Sequence, residues 1–148
     1  MIIESGKTFL MFKIMSPPGI SFLDEHQKMI SERGYVWFCR FGRTNLVLKS
    51  ITKDGNYVFV KESIKNGNKK YVLEFSDISN EAPASGYPAY YNSVAKEASL
   101  WFKVTSITEL PDDFESYFCA ASSNNSLESV YRSMCSSFYI RSNKALRL

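Results

Sequence analysis

Between Lys7 and Ile14 apolar and polar residues alternate closely enough to predict a first strand. Ser16-Pro17-Pro18-Gly19 ends it, because prolines and a glycine cannot continue a ladder. From Ser21 the period becomes helical: Phe22, Leu23, His26, Met29 and Ile30 fall on one side. Ser21 with Asp24 three residues on has the form of a capping box, and Gly34 is placed to end the helix in the left-handed conformation. The next stretch, RGYVWFCRFGR at 33–43, returns to period two. Tyr35, Trp37, Cys39 and Phe41 face one way, Val36, Phe38 and Arg40 the other. Both faces are apolar in its first half, as in a strand buried on both sides, and the second half turns basic around Gly42. The strand is expected to begin in the core and emerge at a rim.

NLVLKSIT, Asp54-Gly55 and NYVFVKES together predict a hairpin, and Asn66-Gly67 within KNGNKK predicts a second one leading into YVLEFSDI. These strands form an expected meander. Residues 77–97 carry prolines, a glycine and Tyr87, Tyr90 and Tyr91, and read as a long loop that its tyrosines hold in order. SLWFKVTSITEL is a further strand. PDDFESYFCAAS reads as a short helix with Pro111 near its first turn, and Asn125 with Glu128 three residues later caps another. SFYIRS closes the series as a last strand. With no repeat and no linker, residues 1–148 are expected to form one α+β domain, a small, mainly antiparallel, partly closed β-barrel with short peripheral helices.

Composition adds one unusual feature. Aromatic residues make up 15% of the chain, more rings than a core of this size needs, and surplus rings often serve recognition. The formal charge of +3 is carried by Arg141, Lys144 and Arg147 in the final eight residues, so the preceding body sums to zero. That argues against a broad grip on a phosphate backbone and leaves room for a few phosphate contacts. No apolar run reaches a membrane span, and the N-terminus reads as a strand with Glu4 early, not as a secretory signal. Cys39, Cys119 and Cys135 are odd in number and widely spaced, which suits free thiols, so a cytoplasmic protein is expected.

HQKMISERGYVWFCRFGR, a His-bearing helix feeding a Gly-x-Val-Trp strand, resembles the PUA-like superfamily, in particular its EVE and YTH-like branch. YVLEFSDIS and YYNSVAKEASLWFKVTSI are similar in style to the downstream strands of that branch. The resemblance implies a small barrel that binds modified bases in DNA or RNA, often by flipping the base into an aromatic pocket. It implies that Trp37 and Trp101 stand at pocket positions, with Arg40 and Arg43 near the rim.

From the residues themselves, Trp37, Tyr87, Tyr90, Tyr91, Trp101 and Tyr139 are candidate platforms, since any base can stack on an aromatic ring. Arg40 and Arg43 are candidate contacts to phosphates or base edges. The plain alternative is that both tryptophans are core rings on neighbouring strands. Catalysis finds little support. His26 sits in a helix's apolar stripe and reads as a core histidine, and none of the cysteines stands where its pKa would fall. CxxC, HxH, HExxH, P-loop and GxGxxG patterns are all missing, so no metal and no cofactor is expected. The functional expectation is a non-catalytic binder of a modified base in DNA or RNA. Capture of a free nucleotide-derived signal stands as an alternative, and a protein partner, as for an inhibitor of phage or mobile-element origin, as a third.

Overall fold

The computed structural model describes residues 1–41 and 48–148. Among these residues nine strands and three α-helices follow in the order β1 (Ile2–Ile3), β2 (Thr8–Ile14), α1 (Phe22–Arg33), β3 (Val36–Arg40), α2 (Leu48–Thr52), β4 (Tyr57–Ile64), β5 (Gly67–Ser79), β6 (Leu100–Glu109), β7 (Phe118–Ala120), α3 (Leu127–Tyr131), β8 (Ser137–Ser142) and β9 (Leu146–Arg147). The fold is α+β and rich in sheet. One seven-stranded sheet runs β3-β6-β5-β4-β2-β8-β7, and β1 pairs with β9 to tie the two ends of the chain together. The basic C-terminal residues are therefore part of the fold, with Leu146 buried in β9.

Helix α1 follows its sequence signals closely. The Ser21 hydroxyl accepts from the Asp24 amide, and Gly34 adopts φ 87° while its amide returns to the Ile30 carbonyl. Phe22 and His26 are buried on the inner side, and Leu23, Met29 and Ile30 pack against the core. The Asn66-Gly67 hairpin joins β4 to β5, and β6 completes the meander.

Elsewhere the structure departs from the sequence pattern. The strand expected over 45–52 is replaced, in its described part, by helix α2, and β4 instead lies parallel to β2. Asp54-Gly55 is thus no hairpin turn; the Asp54 carboxylate caps the Thr8 amide at 2.9 Å. The helix expected after Pro111 shortens to one 3-10 turn, Phe114–Tyr117, before β7. Helix α3 is capped by Ser126 rather than Asn125. Strand β3, apolar on both faces, is not an interior strand. Among the described residues it pairs only with β6, and the 80–99 loop covers it, the Trp37 amide donating to the Gly86 carbonyl at 2.8 Å.

Both sheet faces are covered, and alternation along the strands decides which cluster each residue joins. Leu10, Phe12, Ile14, Val58, Val60, Tyr71, Leu73 and Phe75 pack with β3, α1 and the 80–99 loop. Phe9, Met11, Phe59 and Val72 pack with Phe114, Phe118 and Leu127 on the other side. The ladder does not close, since β3 and β7 are its two ends. It does curl strongly. In a flat sheet β2 and β3 would lie four strand spacings, ~19 Å, apart. Here the Phe12 and Phe38 ring centroids are 6.1 Å apart, and the Arg40 guanidinium reaches the Lys13 carbonyl at 3.4 Å. Register shifts around Glu74, Phe75 and Asp77 mark bulges where β5 bends toward this arrangement.

Gly86 fixes the loop to β3. Its φ of +97° disfavours any side chain, and an added Cβ would lie 2.9 Å from Tyr35 Cε2 and 3.1 Å from Trp37 Cδ1. Gly86→Ala is expected to cost about 2 kcal/mol from left-handed strain and crowding. Urea unfolding followed by tryptophan fluorescence measures this; an unchanged midpoint would show that the loop seat carries no such constraint.

Candidate functional site

The curl leaves a cleft where the end of β3 meets the end of β2. Cys39, Arg40 and Phe41 form one wall, Ile14, Met15, Ser16 and Pro17 a second, and Tyr90, Tyr91, Ser93 and Val94 of the loop a third, with Phe22 and Phe38 at the base. Its volume is about 220 Å³. The Ser16 side of this wall is anchored from behind: the buried Glu62 carboxylate accepts from Ser16 Oγ at 2.6 Å and from the Tyr71 hydroxyl at 3.5 Å.

Arg40 is the charged group of the cleft. Its guanidinium lies 5.7 Å from the Phe12 ring centroid and donates to one backbone carbonyl. Among the described residues the only ion pair is Lys70–Glu115, so Arg40 has no carboxylate partner. The undescribed residues 42–47 contain no acid either. Burial draws its pKa down, an effect opposed by nearby Tyr91, Cys39 and Tyr90. A guanidinium carries five donors, and among the described residues the Lys13 carbonyl is the one acceptor it reaches.

The tyrosines of the loop are held by a polar thread through the core. His26 is fully buried, and its Nδ1 lies 2.8 Å from the Phe22 carbonyl, so that nitrogen carries the proton and donates. Nε2 is then an acceptor, and the Tyr91 hydroxyl donates to it at 2.6 Å. Tyr90 packs edge-on against Tyr91 with centroids 4.7 Å apart. Burial pushes the Tyr90 phenol up to about 12 and Tyr91 well above its ordinary value, so both hydroxyls stay neutral, that of Tyr91 committed to His26. Burial likewise raises the Cys39 thiol to about 11, partly offset by Arg40. It is a poor nucleophile, because thiolate is the reactive form.

The structure brings together Arg40, Tyr90 and Tyr91 among the residues singled out in the sequence. It does not bring the others to the cleft. Trp101 is wholly buried, its indole N–H bound to the Ala98 carbonyl at 3.2 Å, because the 80–99 loop covers the outer side of β6. Tyr87 lies on Trp101, centroids 5.3 Å apart, and serves to seat the loop. Trp37 is half-buried under Gly86. Tyr139 pairs opposite Leu10 and lines a separate hollow of about 380 Å³ with Thr8, Lys53 and Asp54. Arg43 lies outside the described residues. Sequence reasoning passed over Phe41 as a platform, although it stands at 58% exposure and is the only exposed ring among the described residues. Its signal was the emergence of the strand at CRFGR.

No group of three side chains suited to a metal occurs among the described residues, and all three cysteines are free thiols. No helix among them is long and apolar enough to cross a membrane. No protein-family model matches the chain, and no curated protein and no solved structure matches it.

Proposed function

We propose that the chain is a non-catalytic module that takes one nucleobase, most readily a modified base in DNA or RNA, into the cleft between Phe41 and Tyr90. The single observation that carries this reading is the meeting of an unpaired Arg40, the exposed Phe41 ring and the neutral hydroxyls of Tyr90 and Tyr91 around one hollow. At about 220 Å³ the hollow lies below the roughly 300–1,000 Å³ typical of sites for drug-sized ligands, a size suited to one heterocycle. Stacking on a ring contributes about 1–3 kcal/mol per base, and the Arg40 donors with the Tyr90 hydroxyl supply hydrogen bonds to the base edge. A damaged, mismatched or unpaired base enters at the least cost, since unstacking opposes entry. The curl of β3 against β2 supports the related inference that the fold is a partly open barrel of PUA-like type.

The zero net charge of residues 1–140 favours a second reading, a free nucleotide as ligand. Salt separates the two. A polymer bound through several phosphates loses affinity steeply with salt, while a free nucleotide does so only weakly. Melting temperature is to be measured with free nucleosides, nucleotides, and short modified and unmodified oligonucleotides at two salt concentrations, for the native chain and Arg40→Met. A shift limited to modified oligonucleotides and lost in Arg40→Met is the expected result. A shift with free nucleotides alone selects the second reading. No shift with any of them overturns the base site.

A further inference from the structure

On the opposite face of the sheet, three lysines stand in one row. Lys13 in β2 is the register partner of Lys61 in β4, and Lys61 that of Lys70 in β5. Neighbouring strands lie roughly 4.8 Å apart, and side chains at paired positions leave the same face. This row continues the apolar row Met11, Phe59 and Val72, which lies two residues away along each strand. Like charges placed directly across strands are destabilising, so the alignment requires compensation.

The protein supplies one carboxylate. Both oxygens of Glu115 take the Lys70 ammonium, at 2.7 and 3.0 Å. Lys13 Nζ donates to the carbonyls of Ser133 at 2.7 Å and Tyr131 at 3.4 Å, which are neutral. Among the described residues Lys61 forms no ion pair and no hydrogen bond, and the Glu115 charge acts on it only from beyond contact; its ammonium rests on the Tyr131 ring, 4.8 Å from the centroid. Three ammonium groups against one carboxylate leave two positive charges in the row. Glu62, beside Lys61 in the chain, is turned to the other face, where it holds Ser16 and Tyr71. Burial and the charges of Glu115 and Glu128 raise the Tyr131 phenol, and Arg132 follows Tyr131 in the chain.

We propose that Lys13, Lys61 and Lys70, aligned beneath Tyr131, form a binding site for a phosphate group. Lysine binds phosphate as a point charge with rotatable donors, and an anion bridging Lys13 and Lys61 supplies the partner that Lys61 lacks. The Tyr131 ring would wall the site on one side. The ammonium groups of the row contact no side chain of the base cleft, Arg40 touching only the Lys13 carbonyl, so the proposal stands whether or not that cleft holds a base.

The test is an NMR titration of protein carrying ¹³C-labelled lysine, using inorganic phosphate against chloride at constant ionic strength. The Lys61 and Lys13 ε-methylene signals are expected to shift saturably, while those of exposed Lys28 and Lys96 do not. Lys61→Gln is expected to weaken phosphate by at least about tenfold, as for loss of a charged hydrogen bond. An oligomer of abasic deoxyribose phosphate distinguishes the source: tighter binding than inorganic phosphate assigns the site to a nucleic-acid backbone, and weaker binding to a free phosphate or terminal phosphoryl group. Shifts that chloride reproduces, or that spread equally over Lys28 and Lys96, overturn the site on native protein alone. That outcome leaves the base cleft untouched.

Discussion

Lowering the pH from 7 to 4 is expected to remove about 3 kcal/mol of folding stability through His26 alone, because burial lowers its pKa from 6.5 to about 4. In the folded chain the neutral ring donates from Nδ1 to the Phe22 carbonyl and accepts at Nε2 from Tyr91. Protonation places a hydrogen on Nε2 facing the Tyr91 hydroxyl and adds a charge where solvent does not reach. The unfolded chain takes up that proton near 6.5, before the folded chain does. Between pH 6.5 and 4 the unfolded state therefore holds more protons, and stability falls as pH falls. Above 6.5 the contribution is fully present. Carboxylates titrate in the lower part of the same window, so the measurement is a difference: urea midpoints of the native chain and of His26→Gln at pH 7, 5.5 and 4.5. The native chain is expected to lose more than the variant over that range; parallel losses would mean that the His26–Tyr91 thread does not resist protonation. Because Tyr91 is also a wall of the cleft, ligand affinity of the folded chain should hold through this window and fall only near pH 4, where the folded ring takes up its proton.

Local signals were enough where one residue type has one structural use. Ser21, Asp24 and Gly34 bound helix α1 because each satisfies a backbone need at a helix end, and Asn66-Gly67 turns the β4–β5 hairpin for the same kind of reason. The region after β3 was not legible in this way. LVLKSIT alternates like a strand, yet its described part, Leu48–Thr52, is helical, being too short for its period to tell. What decides is topology. Strand β4 runs parallel to β2, so a crossover must lie between them, and α1, β3 and α2 make it. The curl that brings Phe38 to Phe12 rests on bulges in β5, whose residues Glu74 to Asp77 carry no glycine or proline to announce them.

The site divides along the same line. Tyr90 and Tyr91 stood out because YPAYY lacks any strand or helix period, and Arg40 because a basic residue ends an apolar strand. The partner of Tyr91 was hidden, since His26 lies 65 residues away and only the fold joins them. The tryptophans misled for a physical reason. A strand apolar on both faces is read as central or as ligand-binding, but β6 owes its second apolar face to the 80–99 loop, whose Tyr87 and Tyr91 lie on Trp101 while Phe102 turns the other way onto Phe12, Phe38 and Phe75.

That distinction yields the largest contrast between two single substitutions. Trp101→Ala is expected to cost about 3–5 kcal/mol, since it removes a fully buried indole on which Tyr87 and Tyr91 rest. Against a typical total of about 5–15 kcal/mol, such a loss places a measurable part of the chain in the unfolded state. Phe41→Ala should change stability by no more than about 0.5 kcal/mol, because its ring is mostly in solvent. For ligand the order reverses. On the proposed base site, stacking on the Phe41 ring would be worth about 1–3 kcal/mol, so Phe41→Ala should weaken binding by roughly tenfold or more while the protein stays folded. Trp101→Ala, assayed where it remains folded, should bind in proportion to its folded fraction. Urea unfolding and ligand titration on both variants decide the matter. If Phe41→Ala binds normally and folded Trp101→Ala does not, the recognising ring is the buried tryptophan, and the cleft must open more deeply than its resting shape allows.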